Sequence, residues 1–434
     1  MPTIFDVIYI TALILGSPYL LVKCITSKRH RSGLLQRLGW ITIKQEKKSC
    51  IWIHCASVGE ILTVKTLVKH FEKEFNNLSI VISTNTNTGL TVAKMHFAEK
   101  NIFYFPLDLS WIIYKVLDVI QPKCLLLIEL EIWPNLLIAA ARRRIPVALL
   151  NARISEKSLK WYRFLGKISK KFLTSLTIQE NMYCARSKID AVHLMNLGIS
   201  EPQVTVTGNM KFDNIITAIS ENKKKQLLDL FEIDTRDKVI ICGSTHEGEE
   251  AIILKIFKEM SARFTTLRLI LAPRHIERVD TIATLTESTG LRFIRKTSLD
   301  KGKKIGEHKY GTVILIDTVG ELLTLYSIAD CVFIGKSLVP QGGQNIMEPA
   351  GLAKPIIAGP HTFNFHEEVR LLKEADAIKI VQNESELSNE MMYLLEHPNE
   401  AREMGRRAQS VIIKQKGATD RNLKLLRKIL LKER

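Results

Sequence analysis

Short apolar runs alternate with amphipathic segments along most of this chain. The run at 124–128 is apolar at every position, which is typical of a strand buried on both faces of a parallel sheet. Helical periodicity lies between such runs, for example at 61–75 and 133–143. This alternation predicts an α/β fold built on a parallel sheet. In the first half, the predicted strands are 51–54, 78–84, 102–105, 124–129, 146–151, 176–179 and 204–208.

The alternation of predicted strands and helices is interrupted near the middle of the chain and then resumes. Residues 210–225 are polar and lack a strong apolar period, so they are the best candidate for a linker. A chain of 434 residues is also too long for one ordinary core. We therefore expect two Rossmann-like domains facing a cleft, at 45–215 and 216–400, followed by C-terminal helices at 401–434. In the second half, the predicted strands are 238–243, 267–272, 291–295, 313–317, 331–335, 355–359 and 377–381.

The amino-terminal segment is strongly apolar. Residues 7–22, with Ile4 and Phe5 before them, approach the length of about 20 residues that a membrane helix needs. A signal peptide would begin with basic residues, whereas here Asp6 comes first and eight basic residues follow between 23 and 48. This charge asymmetry predicts an uncleaved anchor at 1–26, spanning or half-inserted in a membrane, with the rest of the chain on the cytoplasmic face. The alternative is a helix packed on the first domain.

The net charge and the spacing of the cysteines indicate which classes of partner the protein binds and which cell compartment it occupies. The chain has 62 basic and 45 acidic residues, and its net charge of +17 favours nucleic acid, an anionic membrane or phosphorylated substrates as partners. No RNA-binding motif accompanies this charge, so we expect anionic membrane lipids and no nucleic acid as partners. The seven cysteines form no CxxC pair, which argues against a metal site and for reduced thiols in the cytosol.

A carboxylate stands where the first predicted strand gives way to a helix. The segment His54-Cys-Ala-Ser-Val-Gly-Glu60 follows an apolar run and precedes an amphipathic helix. In open α/β sheets the ligand crevice lies at the carboxyl ends of the strands, and a first-turn glutamate also lies near the positive end of the helix dipole. Glu60 is therefore either a catalytic acid or only a helix cap. A G-x-S-x-G nucleophile elbow at Ser57 is not supported, because Cys55 replaces its first glycine.

Other polar residues of the first half also follow predicted strands. Glu129 and Glu131 end the most apolar strand, and Asn151 and Arg153 follow the next one. Lys211 follows the last strand, where it could neutralise the charge on a departing phosphate. Any one of these residues is more simply explained as a cap or turn. Their common place at strand ends favours a shared site.

The second half contains loops suited to a nucleotide. Arg274 ends a strand and can bind a phosphate or carboxylate. Residues 317–321 lead into a helix whose amides could face an anion. The segment 341–348 combines two glycines with a helix start, and its last residue, Glu348, could accept hydrogen bonds from a ribose diol. Residues 335–337 resemble the end of a phosphate-binding P-loop, but the earlier glycine of that motif is absent.

Together these segments match the ordered motifs of a known family. The chain resembles the 3-deoxy-D-manno-octulosonic acid (Kdo) transferases of lipopolysaccharide biosynthesis over essentially its whole length. The resemblance implies a GT-B glycosyltransferase fold, a CMP-Kdo donor, a lipid A precursor as acceptor, and transfer with inversion and without a metal or cofactor. The motifs are His54-x-x-Ser-Val-Gly-Glu60, Glu129-x-Glu131-x-Trp-Pro-Asn135, Asn151-Ala-Arg153, Thr207-Gly-Asn-x-Lys-Phe-Asp213, Ala272-Pro-Arg-His275, Asp317-Thr-x-Gly-Glu-Leu322, Gly342-Gly-x-Asn-x-x-Glu348 and Gly359-Pro-His-Thr-Phe-Asn-Phe365.

The resemblance also implies roles for single residues. It makes Glu60 the general base and assigns Glu131 and Lys211 to support of the transition state. The residues implied in CMP binding are Pro273, Arg274, Val319, Gly320, Glu321, Asn345, Ile346, Met347 and Glu348. Further candidates for the donor or acceptor site are Ser57, Gly59, Asn151, Arg153, Ser337, Gly343 and Gln344.

Three positions depart from the family pattern, and two other functions stay open. Cys55 and Lys336 stand where relatives usually or often have glycine, and Gln344 stands where many have histidine. Another membrane-associated GT-B enzyme, of the lipid-disaccharide synthase or epimerase type, would act on a UDP-sugar instead of CMP-Kdo. A binder of nucleic acid or anionic membranes without catalysis would show steeply salt-dependent binding and no effect of changes at Glu60.

Overall fold

The computed structural model describes residues 2–26, 31–43, 49–98, 100–178, 180–306 and 309–431. The chain forms two compact units, each built on a seven-stranded parallel sheet. Unit 1 consists of Met1–Asn214 and Gln415–Arg434, and unit 2 consists of Ile215–Lys414. The helical segment 401–434 is thus divided between the units at residue 415.

The first half of the chain alternates strands and helices as the apolar pattern predicts. Its strands are β1 (Ser49–His54), β2 (Leu78–Thr84), β3 (Asn101–Tyr104), β4 (Pro122–Ile128), β5 (Val147–Ala152), β6 (Met182–Ala185) and β7 (Val204–Val206). Its helices are α1 (Ile4–Thr26), α2 (Leu34–Arg37), α3 (Val58–Thr63), α4 (Lys65–Glu74), α5 (Asn87–His96), α6 (Ser110–Ile120), α7 (Pro134–Arg142), α8 (Glu156–Ile168), α9 (Lys170–Leu176) and α10 (Lys188–Met195).

The second half repeats this alternation and ends in helices. Its strands are β8 (Lys238–Thr245), β9 (Leu267–Pro273), β10 (Arg292–Arg295), β11 (Thr312–Leu315), β12 (Cys331–Ile334), β13 (Ile356–Ala358) and β14 (Lys379–Ile380). Its helices are α11 (Glu221–Leu230), α12 (Glu249–Ser261), α13 (Val279–Ser288), α14 (Lys296–Asp300), α15 (Leu322–Tyr326), α16 (Met347–Gly351), α17 (His366–Glu374), α18 (Glu384–Glu396), α19 (Pro398–Gln415) and α20 (Ala418–Leu430).

The central strands of the unit 1 sheet are buried on both faces, which explains why they are apolar at successive positions. The strand order is β3-β2-β1-β4-β5-β6-β7. Alternate residues of a strand point to opposite faces, so Trp52 joins the core under α6–α10, whereas Ile51 and Ile53 join the core under α3–α5 and α20. In unit 2 the order is β10-β11-β9-β8-β12-β13-β14, with α12, α13, α18 and α19 packed on one face.

One predicted strand is wrong, and one predicted helix is two helices. Residues up to Leu176 belong to α9, which begins where the Ser169 hydroxyl accepts a hydrogen bond from the Phe172 amide. Its apolar residues Phe172 and Leu176 are one turn apart and buried, so they form a helical stripe and not a strand. The sixth strand lies later, at β6, and position 179 of the predicted strand lies outside the described residues. The helical pattern at 61–75 divides at Val64 into α3 and α4.

The connector between the units is shorter than the polar stretch suggests. Residues Met210–Asn214 form a 3-10 turn whose Met210 and Phe212 side chains are buried. Helix α11 already begins at Glu221. Only residues 215–220 of the predicted linker therefore have no regular structure.

Helix α1 packs against unit 1 along one stripe. Phe5 is buried, and Tyr9 and Leu13, each one turn further on, pack against the same core. Asp6 is also buried and accepts hydrogen bonds from the Ser110 amide at 2.7 Å and from the Asn135 side chain at 3.1 Å. Within the described residues, no helix combines the length and the apolar character that crossing a membrane requires. The predicted anchor is therefore not confirmed.

Helix α20 returns the end of the chain to unit 1. The amides of Gly417 and Thr419 donate to the Asp213 carboxylate, both at 2.6 Å. Leu423 and Leu426 are buried in the core under α4 and β4. The cysteines described as free thiols are all buried, namely Cys50, Cys55, Cys124, Cys184, Cys242 and Cys331.

Candidate active site

The predicted acids of unit 1 meet where its strand order reverses. Strand β1 lies between β2 and β4, so the chain leaves the two neighbouring strands β1 and β4 in opposite directions. Such a point opens a crevice at the carboxyl ends of the strands. Glu60 follows β1, and Glu129 and Glu131 follow β4.

Glu60 is held by the loop that precedes its own helix. The Ala56 amide donates to its Oε2 atom at 2.7 Å, and the Ser57 hydroxyl donates to its Oε1 atom at 2.9 Å. The Ser57 hydroxyl in turn caps α3 by accepting from the Glu60 amide. This arrangement resembles a capping box. Glu60 therefore does help to cap its helix, and the same contacts orient its carboxylate, whereas its catalytic role stays a prediction.

The environment of Glu60 makes it a better base than an exposed glutamate. Glu60 is only 7% exposed to solvent. The pKa of Glu60 is raised from its ordinary value of 4.5 to about 7, mainly by burial and also by the negative charges of Glu131 and Glu129. The hydrogen bonds from Ala56 and Ser57 oppose this rise. A carboxylate whose pKa lies near neutral pH is suited to accept a proton during a reaction.

Glu131 is fixed by two side chains that the family resemblance did not assign. The Trp133 indole N–H donates to its Oε2 atom at 2.8 Å, and Nε2 of His54 lies 3.1 Å from the same oxygen. Nδ1 of His54 lies 2.9 Å from the Ser83 hydroxyl, and the His54 ring stacks on Phe105 with centroids 3.9 Å apart. The signal that could have identified His54 was its place as the last residue of a buried strand.

Lys211 forms an ion pair with Glu129, the first of the two acids that follow β4. The Lys211 Nζ atom lies 2.7 Å from Glu129 Oε1. Glu129 and Asn151 both have a left-handed backbone conformation, with φ +60° and +55°. The Oδ1 atom of Asn151 accepts a hydrogen bond from the Met210 amide at 2.9 Å. Asn151 therefore positions the lysine's turn. Its own Nδ2 atom is buried and has no partner among the described residues.

The remaining candidates of unit 1 differ in their surroundings. Ser57 already uses its hydroxyl within the loop. Gly59 is exposed, and a Cβ atom built there would make only an ordinary contact with the Ser57 Oγ atom, 3.8 Å away. Arg153 is exposed as well. Its role stays a prediction.

In unit 2 a buried carboxylate joins the loops at the point of strand reversal. Strand β8 lies between β9 and β12. Glu249, in the first turn of α12, is fully buried and accepts the amides of three consecutive residues, Lys336, Ser337 and Leu338, at 2.6–3.0 Å, as well as the His246 amide at 2.9 Å. It thereby fixes the loop after β12 to the loop after β8. Sequence reasoning missed Glu249, because its partners lie nearly ninety residues away in the chain.

The glycine-rich loop after β12 leads to a bonded Asn345–Glu348 pair. The Asn345 Nδ2 atom donates to Glu348 Oε1 at 2.9 Å, and its Oδ1 atom accepts the Met347 amide at 3.0 Å. Burial raises the pKa of Glu348, and the hydrogen bond from Asn345 opposes this. The side chains of Ile346 and Met347 are buried, so these two residues can offer a ligand only their backbone.

The other loops of the predicted CMP site are more open. Arg274, which follows Pro273 at the end of β9, is exposed, and its amide donates to the Thr245 carbonyl at 3.0 Å. Val319 is exposed and Gly320 has φ +90°. The helix expected directly after 317–321 begins at Leu322. Glu321 is an ion-pair partner of Lys296, with Oε1 and Nζ 3.0 Å apart.

Two further candidates serve the loop itself. Ser337 is fully buried, and its hydroxyl donates to the Ile334 carbonyl and accepts the Gly359 amide, so it has no free hydroxyl to offer a ligand. Gly342 and Gly343 have φ +93° and +74°, and a Cβ atom at Gly342 would clash with Phe363 at 2.5 Å. Glycine is therefore needed here by the fold. Gln344 is half-buried, and its role stays a prediction.

Solved structures with the same architecture cover most of the chain. A glycosyltransferase from Rickettsia africae aligns with TM-score 0.57 at 13% identity, covering 90% of this chain and 100% of the other. A UDP-GlcNAc 2-epimerase from Neisseria meningitidis aligns with TM-score 0.58 at 18% identity, covering 88% and 100%. At these identities the likeness concerns the fold alone. It confirms two parallel-sheet α/β units of the kind found in GT-B glycosyltransferases.

Sequence relatives identify the family. The family described as 3-Deoxy-D-manno-octulosonic-acid transferase (kdotransferase) matches residues 32–214. The 3-deoxy-D-manno-octulosonic acid transferase of Haemophilus influenzae is 33% identical over 97% of this chain and 98% of its own length. That of Bordetella pertussis is 31% identical over 87% of this chain and 86% of its own length. The chain therefore belongs to the 3-deoxy-D-manno-octulosonic acid transferase family.

Proposed function

We propose that this chain transfers Kdo from CMP-Kdo to a hydroxyl group of a lipid A precursor, with inversion at the anomeric carbon and without a metal. Family membership supports the sugar and the pathway, lipopolysaccharide biosynthesis. The single observation that carries the mechanism is the buried Glu60 carboxylate, whose pKa is raised to about 7 at the strand reversal of unit 1. Kdo transfer needs one base to activate an alcohol, and Glu60 meets that need.

The proposed step is a direct displacement. The acceptor oxygen attacks the anomeric carbon while Glu60 takes its proton, and the bond from that carbon to the phosphate of CMP breaks. The products are the Kdo glycoside, CMP and a protonated Glu60, which then loses its proton to water. Attack opposite the leaving group gives inversion. The hydrogen bonds from Ala56 and Ser57 keep the carboxylate directed throughout.

Cationic and polar groups support the charge that moves during the step. Lys211, held beside Glu129, places its ammonium group at the same sheet edge as Glu60. In unit 2, the exposed Arg274 is suited to the phosphate of CMP, and Glu348, oriented by Asn345, is suited to its ribose hydroxyls. These roles follow the family resemblance and the chemistry of each group.

We also propose that the chain works at the cytoplasmic face of the inner membrane, with α1 inserted among the lipids. The outer side of α1 exposes apolar residues that the packed stripe of Phe5 leaves free, including Ile14 and Leu15. Basic residues follow α1 in the sequence and suit anionic headgroups. An acceptor with acyl chains would reach the enzyme from this surface.

The test is a defined reaction of purified full-length protein with CMP-Kdo and a tetraacylated lipid A precursor. Mass spectrometry should show the mass of one or more added Kdo residues, and NMR of the product should show the anomer opposite to that of the donor. Glu60→Ala should lower turnover roughly 10²–10⁴-fold, whereas Glu72→Ala, an exposed glutamate of the same unit, should not. Turnover with a UDP-sugar and none with CMP-Kdo would refute the proposal.

A further inference from the structure

Helix α3, which carries Glu60, is too short to be stable on its own. It has six residues, Val58–Thr63, and the next helix, α4, already begins at Lys65. Helices of this length gain most of their stability from contacts with the rest of the fold. Ser57 caps the amino end of α3. The contacts at its carboxyl end therefore decide how firmly Glu60 is held from the other side.

Asn214 holds the junction between α3 and α4. Its Nδ2 atom donates a hydrogen bond to the Thr63 carbonyl at 3.1 Å, and its Oδ1 atom accepts one from the Thr66 hydroxyl at 2.8 Å. Carbonyls in the last turn of a helix lack a partner within that helix, so Asn214 supplies the donor that Thr63 needs. The Thr63 hydroxyl donates in turn to the Gly59 carbonyl at 2.7 Å. The contacts thus reach the residue directly before Glu60.

The same amide group of Asn214 also closes the turn that contains Lys211. The Nδ2 atom donates to the Met210 carbonyl at 3.3 Å, across the 3-10 turn Met210–Asn214. The Lys211 amide donates to the Asn209 Oδ1 atom at 3.0 Å. Lys211 therefore lies within a turn whose two ends are joined by one side chain, and that side chain also contacts α3.

Other contacts fix this turn to the rest of unit 1. Asn151, near the end of β5, accepts the Met210 amide, and the Asp213 carboxylate accepts two amides at the start of α20, each at 2.6 Å. The side chains of Met210 and Phe212 are buried in unit 1. The turn is therefore a firm support, because it is held by both the sheet and α20. Asn214 connects this support to α3.

We propose that Asn214 is a positioning residue, whose side chain fixes Glu60 relative to the Lys211 ammonium group. It acts through the backbone of α3 and of the Lys211 turn. Its catalytic consequence rests on the proposed function, in which the base and the cation serve one displacement. A misplacement of about 1 Å can lower a rate about a hundredfold, so the loss of this side chain is measurable.

Steady-state kinetics of the full-length protein with CMP-Kdo and a tetraacylated lipid A precursor test the positioning role. Asn214→Ala should lower kcat about 10–10²-fold and change KM for CMP-Kdo by less than about twofold, because the proposed CMP loops belong to unit 2. Thr66→Val removes one of the hydrogen bonds and nearly keeps the side-chain shape, so it should lower kcat about threefold. Asn77→Ala, at an exposed asparagine of the same unit, is the matched control and should leave kcat unchanged.

The pH profile separates positioning from simple stabilisation of the fold. The pKa of Glu60 is raised to about 7, mainly by burial. Once α3 is loosened, water reaches the carboxyl group, and the acidic limb of kcat/KM for Asn214→Ala should lie at lower pH than in the wild type. A lower thermal stability of this variant, together with an unchanged kcat and an unmoved limb, would show that Asn214 only stabilises the fold and would overturn the proposal.

Amide hydrogen exchange of the protein without donor or acceptor tests the link between the two segments. In Asn214→Ala, the amides of 58–66 and those of 209–214 should both exchange at least about tenfold faster, whereas those of β4 should not change. Faster exchange confined to 209–214 would overturn the proposal, because α3 would then be held without Asn214.

These measurements distinguish a failure of this inference from a failure of the proposed function. A wild-type protein that transfers no Kdo from CMP-Kdo would refute the proposed function, and hydrogen exchange would then decide by itself whether Asn214 joins the two segments. Thr66→Val should accelerate exchange in both segments by a smaller factor, so it keeps the test decisive even where Asn214→Ala does not fold. Unchanged exchange in 209–214 of Thr66→Val would contradict the link.

Discussion

Replacing Glu60 by glutamine should stabilise unit 1 at alkaline pH while it removes transfer activity. The folded chain favours the protonated carboxyl, since burial raises the pKa of Glu60 from 4.5 to about 7. In the wild-type protein, the preference for protonated Glu60 therefore adds its full amount to the free energy of unfolding below pH 4.5. This stabilisation is lost as the pH rises through about 7. At 1.36 kcal/mol for each pKa unit, the loss amounts to about 3 kcal/mol. Glutamine does not titrate and can still accept the Ala56 amide.

The expected result is a pH-dependent difference between the two proteins. The free energy of unfolding of Glu60→Gln, minus that of wild type, should rise by up to about 3 kcal/mol between about pH 5 and about pH 8.5. Urea unfolding followed by tryptophan fluorescence measures this quantity for unit 1. Glu72→Gln, at an exposed site of the same unit, is the matched control. A difference that stays flat with pH, or that falls, would show that Glu60 is not held in a carboxyl-favouring site.

Three further outcomes test the geometry around the site. Glu131→Gln should move the acidic limb of the kcat/KM profile to lower pH, because the negative charge of Glu131 raises the pKa of Glu60; an unmoved limb would contradict this coupling. Lys211→Met should lower kcat about 10²–10³-fold. Glu129→Gln should lower kcat less in the Lys211→Met background than in the wild type, because the ion pair is already broken there. Full additivity of the two changes in a double-mutant cycle would argue against the ion pair. Glu249→Gln should raise KM for CMP-Kdo about tenfold with a smaller change in kcat, since three loop amides lose a charged acceptor. Calorimetry of CMP binding measures the change in affinity, and an unchanged affinity would refute a positioning role of Glu249.

The sequence could predict where the acids lie because parallel strands end at a common edge. Glu60 and Glu131 follow different strands, and only the strand order β1-β4 was needed to bring them to one crevice. The capping contact of Glu60 with Ser57 was predictable from their spacing, but the partners of Glu131 and Lys211 were not, because they come from distant segments. Lys211 pairs with Glu129, whose backbone has φ +60°, a conformation that no pattern of polar residues reveals.

Contacts between distant segments account for the other omissions. In the sequence, Glu249 is an ordinary glutamate in the first turn of a helix, yet its carboxylate accepts hydrogen bonds from the amides of residues 336–338. Likewise, the apolar stripe of α20 shows that this helix is packed on one side, but not against which core. In both cases the local sequence determines the element, and the tertiary fold determines its partner.

The return of α20 to unit 1 determines the order in which the two units can mature during synthesis. Residues 215–414 leave the ribosome before α20 does, so unit 2 has its whole sequence while unit 1 still lacks Leu423 and Leu426 from its core. Until then, the apolar surface of α4 and β4 that these leucines cover is open to chaperones and proteases. Unit 2, although it is made second, is therefore the first that can finish folding, and a ribosome stalled before residue 415 would carry an incomplete unit 1.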